Sequence, residues 1–211
     1  MRSLAIGAAT LLIGLGAAWA VEVPVNGLTL ENTSDPDGIE SEAIRHFQER
    51  IEKLGGSTAP TEGGALLYVG EIGEGTALAG YFTPEVTEEY RAGLKPFQEK
   101  EGYFLALDEE DGRPVLRAAG FSPRGTVYAV SELELRLRAQ DGRVFLAFPE
   151  WTEDDAPKRI FDKPEIEGRG EYLNIGYNLQ QITPHEWSDE RWRAYIDQLV
   201  LAKLNRFYFY L

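Results

Sequence analysis

The chain has 211 residues, of which 43% are hydrophobic and 27% charged, a composition typical of one folded domain with part of a second. Its 35 acidic and 21 basic residues give a formal net charge of −14, which argues against binding to nucleic acid or to an anionic membrane surface. The absence of cysteine excludes disulfides, thiolate metal sites and a cysteine nucleophile.

Residues 1–20 have the layout of a secretory signal peptide. Arg2 supplies a short positive region, residues 4–17 form an apolar run, and residues 18–20 read Ala-Trp-Ala, a small-residue cleavage site. The alternative is a transmembrane anchor, which we disfavour because the run is shorter than the ~20 residues that span a bilayer. We therefore expect a secreted or periplasmic bacterial protein that is not attached to a membrane after cleavage.

Residues 21–148 alternate between strand and helix patterns. Strands are predicted at residues 22–33, 65–70, 102–107, 114–119 and 144–148. Residues 109–112 (EEDG) are predicted to form a hairpin turn between the third and the fourth of these strands. Helices are predicted at residues 39–54, at residues 85–98 with interruptions at Gly93 and Pro96, and after Ser122-Pro123, a favoured helix start. The order β-α-β-(α)-β-β-α-β predicts a two-layer α/β sandwich.

Residues 149–164 are acidic and bounded by proline, and their apolar residues have neither helical nor strand spacing, so we interpret them as a linker. Residues 165–211 then read strand, loop, helix and strand, with the strands at 172–177 and 206–211. This order predicts the first βαβ unit of a (β/α)8, or TIM, barrel that is incomplete within the 211 residues.

The helix of this unit is predicted to begin after Ser188, a favoured N-cap residue. Trp192, Ile196, Leu199 and Lys203 fall on one of its faces at helical spacing. We expect Lys203 to lay its methylene stem on that face and to keep its charge in water.

Two patches of the sequence resemble glycoside hydrolases. The first comprises Gly102-Tyr103-Phe104-Leu105, the stretch 119–130 (AGFSPRGTVYAV) and Leu133. It is similar to the "EGY.L … G.S.RG..YGV..L" pattern of the N-terminal α/β domain in bacterial β-N-acetylhexosaminidases, glycoside hydrolase family 20. Relatives of that domain precede the barrel in α-glucuronidases.

The second patch looks like the start of the catalytic (β/α)8 barrel in the same enzymes. It comprises Pro164, Arg169-Gly170, Trp192, Tyr195-Ile196-Asp197, Lys203-Leu204-Asn205 and the terminal aromatic strand. The typical run in those enzymes is an Arg-Gly pair, a strand, a loop, a helix ending in Lys-x-Asn, and a second strand.

The resemblance implies a secreted glycoside hydrolase, family 20-like or α-glucuronidase-like, that acts without a cofactor on O-glycosyl bonds of oligo- or polysaccharides. Residues 21–148 would be its non-catalytic N-terminal domain and residues 165–211 the beginning of its catalytic domain. Its expected partners are the carbohydrate substrate and the remainder of the barrel. The catalytic carboxylates lie on later strands in these families, so we assign no catalytic residue and expect the chain alone to be inactive. The alternative is a non-catalytic secreted module that binds carbohydrate or acts as a scaffold.

Candidate sugar-binding residues cluster around the first barrel strand. In the hexosaminidases this strand carries an Asp and, three residues later, an Arg that holds sugar hydroxyls; here these positions are Asn174 and Tyr177, which disfavours family-20 specificity. Tyr177 and Asn178 lie at the carboxyl end of the strand, where barrel enzymes present ligand groups. Trp187 and His185, on the following loop, are candidates for contact with a sugar; aromatic packing over the interdomain surface is the alternative for them.

Other chemistry has no support in the sequence. There is no His-Glu-x-x-His zinc motif and no Gly-x-Ser-x-Gly, and the glycine-rich stretch 73–80 lacks the lysine of a phosphate-binding loop. The charge runs 109–111 and 153–155 are interpreted as solvated turns. We therefore predict no metal site and no cofactor.

Overall fold

A computed structural model describes residues 21–33, 35, 37–73, 78–148, 158–174 and 187–210. Its strands are β1 (Val21–Pro24), β2 (Thr29–Asn32), β3 (Leu66–Glu71), β4 (Tyr103–Glu110), β5 (Arg113–Gly120), β6 (Leu137–Gln140), β7 (Arg143–Phe148), β8 (Arg159–Asp162), β9 (Gly170–Asn174) and β10 (Arg206–Tyr210). Its helices are α1 (Ile39–Lys53), α2 (Pro84–Arg91), α3 (Pro96–Glu101), α4 (Pro123–Arg136) and α5 (Asp189–Leu201). Within these described ranges, no helix has the length and apolar content needed to cross a membrane.

The main sheet has five strands in the order β2-β3-β5-β4-β8. Strands β2, β3 and β5 are parallel, whereas β4 runs antiparallel to both β5 and β8. The β4–β5 hairpin turns at Asp111 and Gly112, both of which have a positive φ, as a tight two-residue hairpin turn requires. The predicted hairpin is thereby confirmed.

Both faces of this sheet are covered. Helices α1 and α4 pack on one face, where Phe47 and Leu105 are fully or almost fully buried. The opposite face carries Phe104 and Ala106, which form a second apolar cluster with Leu78 and Phe82. The mixed α/β prediction is confirmed, but the two-layer description was too simple, because alternate residues of β4 point to two buried faces.

A second sheet has three antiparallel strands in the order β1-β7-β6. The single strand predicted at residues 22–33 is two strands, because Gly27 adopts a positive φ of 78° and turns the chain between β1 and β2. Strand β6 was not predicted, since Leu137 continued the apolar stripe of α4. Leu137 instead pairs with Leu146 of β7 directly after the helix ends.

Part of the predicted linker is a strand. Within residues 149–164, Arg159–Asp162 form β8 and complete the five-stranded sheet, with Phe161 opposite Phe104 in the register. The sequence did not predict this strand, because β8 has only four residues and lies in an acidic stretch bounded by prolines. The remaining residues of the stretch up to 157 lie outside the described part of the chain.

Strands β9 and β10 are parallel neighbours joined through α5, which is the predicted strand-helix-strand order. The Ser188 hydroxyl accepts a hydrogen bond from the backbone N–H of Arg191 at 3.3 Å, so the predicted cap is confirmed. Helix α5 ends at Leu201, however, so Lys203 lies outside it and does not extend its face. No α5 side chain is fully buried, and Ile196 is 49% exposed.

Candidate functional site

The glycines of the first family-like patch allow backbone segments to touch. A Cβ atom on Gly120 would lie 2.1 Å from the backbone nitrogen of Thr126, and one on Gly125 would lie 2.4 Å from the carbonyl oxygen of Gly102. Both distances are far shorter than van der Waals contact, so only glycine fits at these positions. The start of α4 is thereby pressed against the ends of β4 and β5, beside the residues described next.

Glu101, the last residue of α3, is only 2% exposed and accepts hydrogen bonds from three side chains. Its Oε1 accepts from Arg124 Nη1 at 3.0 Å and from Asn205 Nδ2 at 2.9 Å. Its Oε2 accepts from Arg169 Nη2. Glu101 therefore connects α4 to the amino ends of both strands of the βαβ unit, because Arg169 precedes β9 and Asn205 precedes β10.

Arg169 and Asn205 are also bonded to each other and to nearby carbonyl groups. The backbone N–H of Arg169 donates to Asn205 Oδ1 at 3.0 Å, and the Arg169 Nε donates to the carbonyl of Lys203 at 2.9 Å. Burial opposes ionisation of Glu101, but the hydrogen bonds from Arg169, Asn205 and Arg124 outweigh it and lower the pKa of the carboxyl. The Glu101 carboxyl is therefore ionised at neutral pH.

A second polar cluster surrounds the ammonium group of Lys203. This group donates to Glu132 Oε2 at 2.9 Å, to Asp162 Oδ2 at 3.3 Å and to the Tyr103 hydroxyl. The Tyr103 hydroxyl in turn donates to Asp162 Oδ2 at 2.9 Å. Lys203 from the βαβ unit thus meets β4, α4 and the end of β8 at one point, and its ammonium does not remain in water as the sequence suggested.

The pKa values in this second cluster shift in opposite directions. Burial opposes ionisation of Glu132, yet the hydrogen bond and charge of Lys203, with the charge of Arg136, lower the pKa of its carboxyl. Burial, together with the charges of Glu132 and Asp162, raises the pKa of the Tyr103 hydroxyl above its ordinary value of 10.0. Near neutral pH the Tyr103 phenol is therefore neutral and the Glu132 carboxyl is ionised.

Lys203 adopts a positive φ of 54°, a conformation that costs a non-glycine residue free energy. Its backbone N–H donates to the carbonyl of Val200 at 2.8 Å, which closes the end of α5. Glycine is the usual residue at this position of a helix end. Lysine is less favourable than glycine for the backbone at this position, but its side chain forms ion pairs with Glu132 and Asp162 that glycine could not form.

We call these eight residues the junction network: Glu101, Tyr103, Arg124, Glu132, Asp162, Arg169, Lys203 and Asn205. Five of them, Glu101, Tyr103, Asp162, Arg169 and Lys203, line a cleft of about 220 Å³ between the α/β domain and the βαβ unit. A general acid in glycoside hydrolysis needs a raised carboxyl pKa, whereas the pKa values of Glu101 and Glu132 are lowered. Glu101 and Glu132 are therefore suited to ion pairing between two parts of the chain and not to general-acid catalysis.

Two carboxyls elsewhere do have raised pKa values. Burial and the charge of Glu40 raise the pKa of Glu71, at the end of β3, and burial raises that of Glu134 on α4. Over the part of the chain that the structure describes, no three His, Asp or Glu side chains are grouped to hold a metal ion.

The predicted sugar-binding residues are only partly described. Asn174 is the last residue of β9 and pairs in the register with Tyr210 of β10. Tyr177, Asn178 and His185 lie outside the described residues.

Trp187 lies against helix α5. Its ring centre is 4.8 Å from that of Trp192 and 5.3 Å from that of Tyr195. The Arg191 guanidinium lies 4.7 Å from the Trp187 ring centre. Trp187 therefore packs on residues of the same βαβ unit, and both its contact with a sugar and its packing over the interdomain surface stay predictions.

Sequence reasoning did not foresee the junction network, although it singled out several of its members as family-like residues. Glu132 and Asp162 gave no signal, because each is one acid among many. A signal did exist in the spacing: Glu101 with Tyr103, and Lys203 with Asn205, are polar pairs two residues apart beside predicted strands. In each pair one residue belongs to the Glu101 cluster and the other to the Lys203 cluster: Glu101 bonds to Asn205, and Tyr103 bonds to Lys203.

No protein-family model matches the chain, and no curated protein matches it. Among solved structures, it is similar to the family 20 exo-β-N-acetylglucosaminidase of Vibrio harveyi in complex with N-acetylglucosamine, with a TM-score of 0.56, 15% identity, and coverage of 90% of this chain and 23% of that one. The family 20 β-N-acetylhexosaminidase of Streptomyces coelicolor A3(2) gives a TM-score of 0.53, 18% identity, and coverage of 89% and 31%. A family 115 4-O-methyl-α-glucuronidase with specificity for decorated arabinogalactans gives 0.53, 16%, and coverage of 89% and 25%.

These likenesses cover almost all of this chain but less than a third of each enzyme. At such low identity they establish the fold alone. The predicted resemblance is confirmed at that level: the chain has an α/β fold that also forms part of glycoside hydrolases of families 20 and 115.

Proposed function

We propose that the chain is the N-terminal portion of a secreted glycoside hydrolase that acts on O-glycosyl bonds of oligo- or polysaccharides. In this proposal residues 1–20 are a signal peptide, residues 21–148 a supporting α/β domain, and residues 165–211 the beginning of a (β/α)8 barrel. The observation that carries it is the junction network: Tyr103 of the first patch bonds to Lys203 of the second, and Glu101 links Arg124 of the first to Arg169 of the second.

The strand pairing of the βαβ unit supports its assignment as the start of a barrel. Successive strands of a (β/α)8 barrel are parallel neighbours connected by a helix on the outside. Strands β9 and β10 meet this requirement, with α5 between them in the chain. Helix α5 contacts α4 of the supporting domain, so the supporting domain would lie outside the barrel wall.

The junction network lies at the amino end of β9, next to Arg169 and Gly170. Barrel enzymes place their ligand groups at the opposite, carboxyl end of the strands. Asn174 is at that end, roughly 13 Å along the strand from Gly170 at ~3.3 Å per residue. The supporting domain would therefore fix the position of the first strand at its amino end, and it would not cover a substrate bound at the carboxyl end.

The proposed sugar contacts are Asn174, Tyr177, Asn178 and Trp187. Tyrosine at position 177, in place of a sugar-binding arginine, supports a substrate class other than that of the family 20 enzymes. Catalysis would use carboxylates on later barrel strands, since Glu101 and Glu132 have lowered pKa values and are ion-paired. The chain alone would bind substrate weakly and would not hydrolyse it.

Two experiments test this proposal. The coding sequence downstream of Leu211 should encode further strand-helix units with an Asp or Glu pair at the ends of later strands; a stop codon there would contradict the proposal. The purified chain should give no turnover of 4-nitrophenyl glycosides of N-acetylglucosamine, xylose or glucuronic acid. Turnover of any of them that survives repeated purification would show that the catalytic residues lie within these 211 residues.

A further inference from the structure

A row of four residues crosses the main sheet on the face opposite to α1 and α4. Tyr68 pairs with Arg117, Arg117 with Ala106, and Ala106 with Arg159. Paired residues on neighbouring strands point to the same face, so the two arginines stand roughly 10 Å apart with only an alanine methyl between them. The Tyr81 ring occupies this space, with its centre 4.2 Å from the Arg117 guanidinium and 4.6 Å from that of Arg159.

The two arginines differ in their charge partners. Arg117, which is 7% exposed, donates to Glu110 and lies 3.9 Å from Asp108 Oδ2. Arg159 makes no ion pair with any residue that the structure describes, and its polar contact is a 3.5 Å hydrogen bond to the carbonyl of Tyr81. Among the described residues, the positive charge of Arg159 therefore has no acidic partner, which is costly for a half-buried guanidinium.

Three buried polar atoms of this cluster also lack hydrogen bonds within the described ranges: Arg117 Nη1, Arg159 Nε and the Tyr81 hydroxyl oxygen. A buried donor without a partner destabilises the folded state. Native structures rarely leave such groups unpaired, and several in one place indicate a bound water or ion. All three belong to side chains that surround a single ring.

We propose that Arg117, Tyr81 and Arg159 form a binding site for a carboxylate group. A guanidinium presents two parallel donors that match the two oxygens of a carboxylate, and one negative charge would balance the unpaired charge of Arg159. Strand β8 is at the edge of the sheet, and Arg159 on this strand is only partly buried. This site lies on a different face from the junction network and does not depend on the proposed hydrolase activity.

The test follows the Nε–Hε resonance of Arg159 by ¹H–¹⁵N NMR in the purified chain. Sodium acetate and sodium glucuronate are added separately at constant ionic strength, with glucose as the neutral control. We expect a saturable shift with both carboxylates and none with glucose. Stronger binding of glucuronate than of acetate would identify an acidic sugar as the source of the carboxylate, and equal binding would identify a small carboxylic acid.

Variants assign the shift to the cluster. Binding, followed through the remaining arginine resonances, should weaken at least about tenfold in Arg159→Gln and less in Tyr81→Phe, which removes only the hydroxyl. Arg143→Gln is the matched control, because the Arg143 side chain is 68% exposed. A wild-type protein that shows no saturable shift up to about 100 mM carboxylate would overturn the proposal, as would sulfate binding as tightly as acetate. Should Arg159→Gln fail to fold, the wild-type titration and Tyr81→Phe still decide the question.

Discussion

The α/β domain and the βαβ unit are stabilised in different ways. In the domain, residues such as Phe47, Ile51 and Leu67 are completely buried in a continuous apolar core. In the unit, α5 has no fully buried residue, and the strongest connections to the domain are the charged hydrogen bonds of the junction network. The domain therefore has its own source of stability, whereas the unit depends on the domain for its position.

This difference has a consequence for the geometry of the molecule. Apolar packing is non-directional, but charged hydrogen bonds require defined distances and angles. A polar junction thus fixes the direction of β9 relative to the main sheet more strictly than an apolar contact of the same size would. Such directional control suits a role in which the domain sets the position of a barrel strand.

The largest effect should come from the core of the domain. Replacing Phe47 by Ala should reduce the free energy of unfolding by about 3–5 kcal/mol, because it removes a fully buried aromatic side chain and leaves a cavity. Urea denaturation measures this loss. Ile39→Ala on the same helix is the control: Ile39 is 58% exposed, and its loss should cost less than about 0.5 kcal/mol. Equal effects of the two variants would contradict the assignment of the core.

A smaller and more local effect is expected at the junction. Glu101→Gln removes the negative charge that pairs with Arg169 and should lower the free energy of opening of the βαβ unit by about 2 kcal/mol. Hydrogen exchange of the β10 amides should accelerate, while that of the β5 amides stays unchanged. The control Glu165→Gln removes the carboxylate of an exposed pair with Lys163 and should leave both rates within about twofold. Equal acceleration in β5 and β10 would mean that the two regions open together.

Acidification should release the βαβ unit before it unfolds the α/β domain. The pKa values of Glu101 and Glu132 are lower in the folded protein than the ordinary 4.5, so the stability they contribute is present above pH 4.5 and is lost as pH falls through the folded values. Fluorescence of Trp187 and Trp192, both in the unit, should change in acid before the far-ultraviolet circular dichroism does. The variant Glu101→Gln should weaken this early change, and an unaltered acid transition would contradict it.

The smallest predicted effect concerns Lys203. Both Lys203→Ala and Lys203→Gly lose the contacts to Glu132 and Asp162, but only glycine relieves the positive φ of 54°. The alanine variant should therefore be less stable than the glycine variant by about 1 kcal/mol, measured by hydrogen exchange in the unit. Equal stability would indicate that the backbone at this position is not strained.

Local signals in the sequence predicted much of the fold. The helix starts at Ser122-Pro123 and Ser188 and the hairpin at Asp111-Gly112 depend on residues close in the chain, and all are found. Strands β6 and β8 were missed because four-residue strands carry too few alternating positions to establish a period. Their formation depends on pairing with strands already in place, which is a tertiary effect.

The candidate site was less predictable for the same reason. The junction network joins residues up to 104 positions apart, such as Glu101 and Asn205, and no local pattern specifies which of 35 acids will be buried. Lys203 illustrates the limit: helical spacing placed it on the face of α5, whereas the helix ends two residues earlier. Its contacts become evident only when β4, α4 and β8 are assembled.

A double-mutant cycle between Glu101 and Arg169 tests most directly whether the polar junction positions the βαβ unit. Glu101→Gln, Arg169→Met and the double variant are compared by hydrogen exchange of the β9 and β10 amides. The account predicts a coupling free energy of about 1–3 kcal/mol between the two residues. Additive effects, with a coupling below about 0.5 kcal/mol, would contradict it.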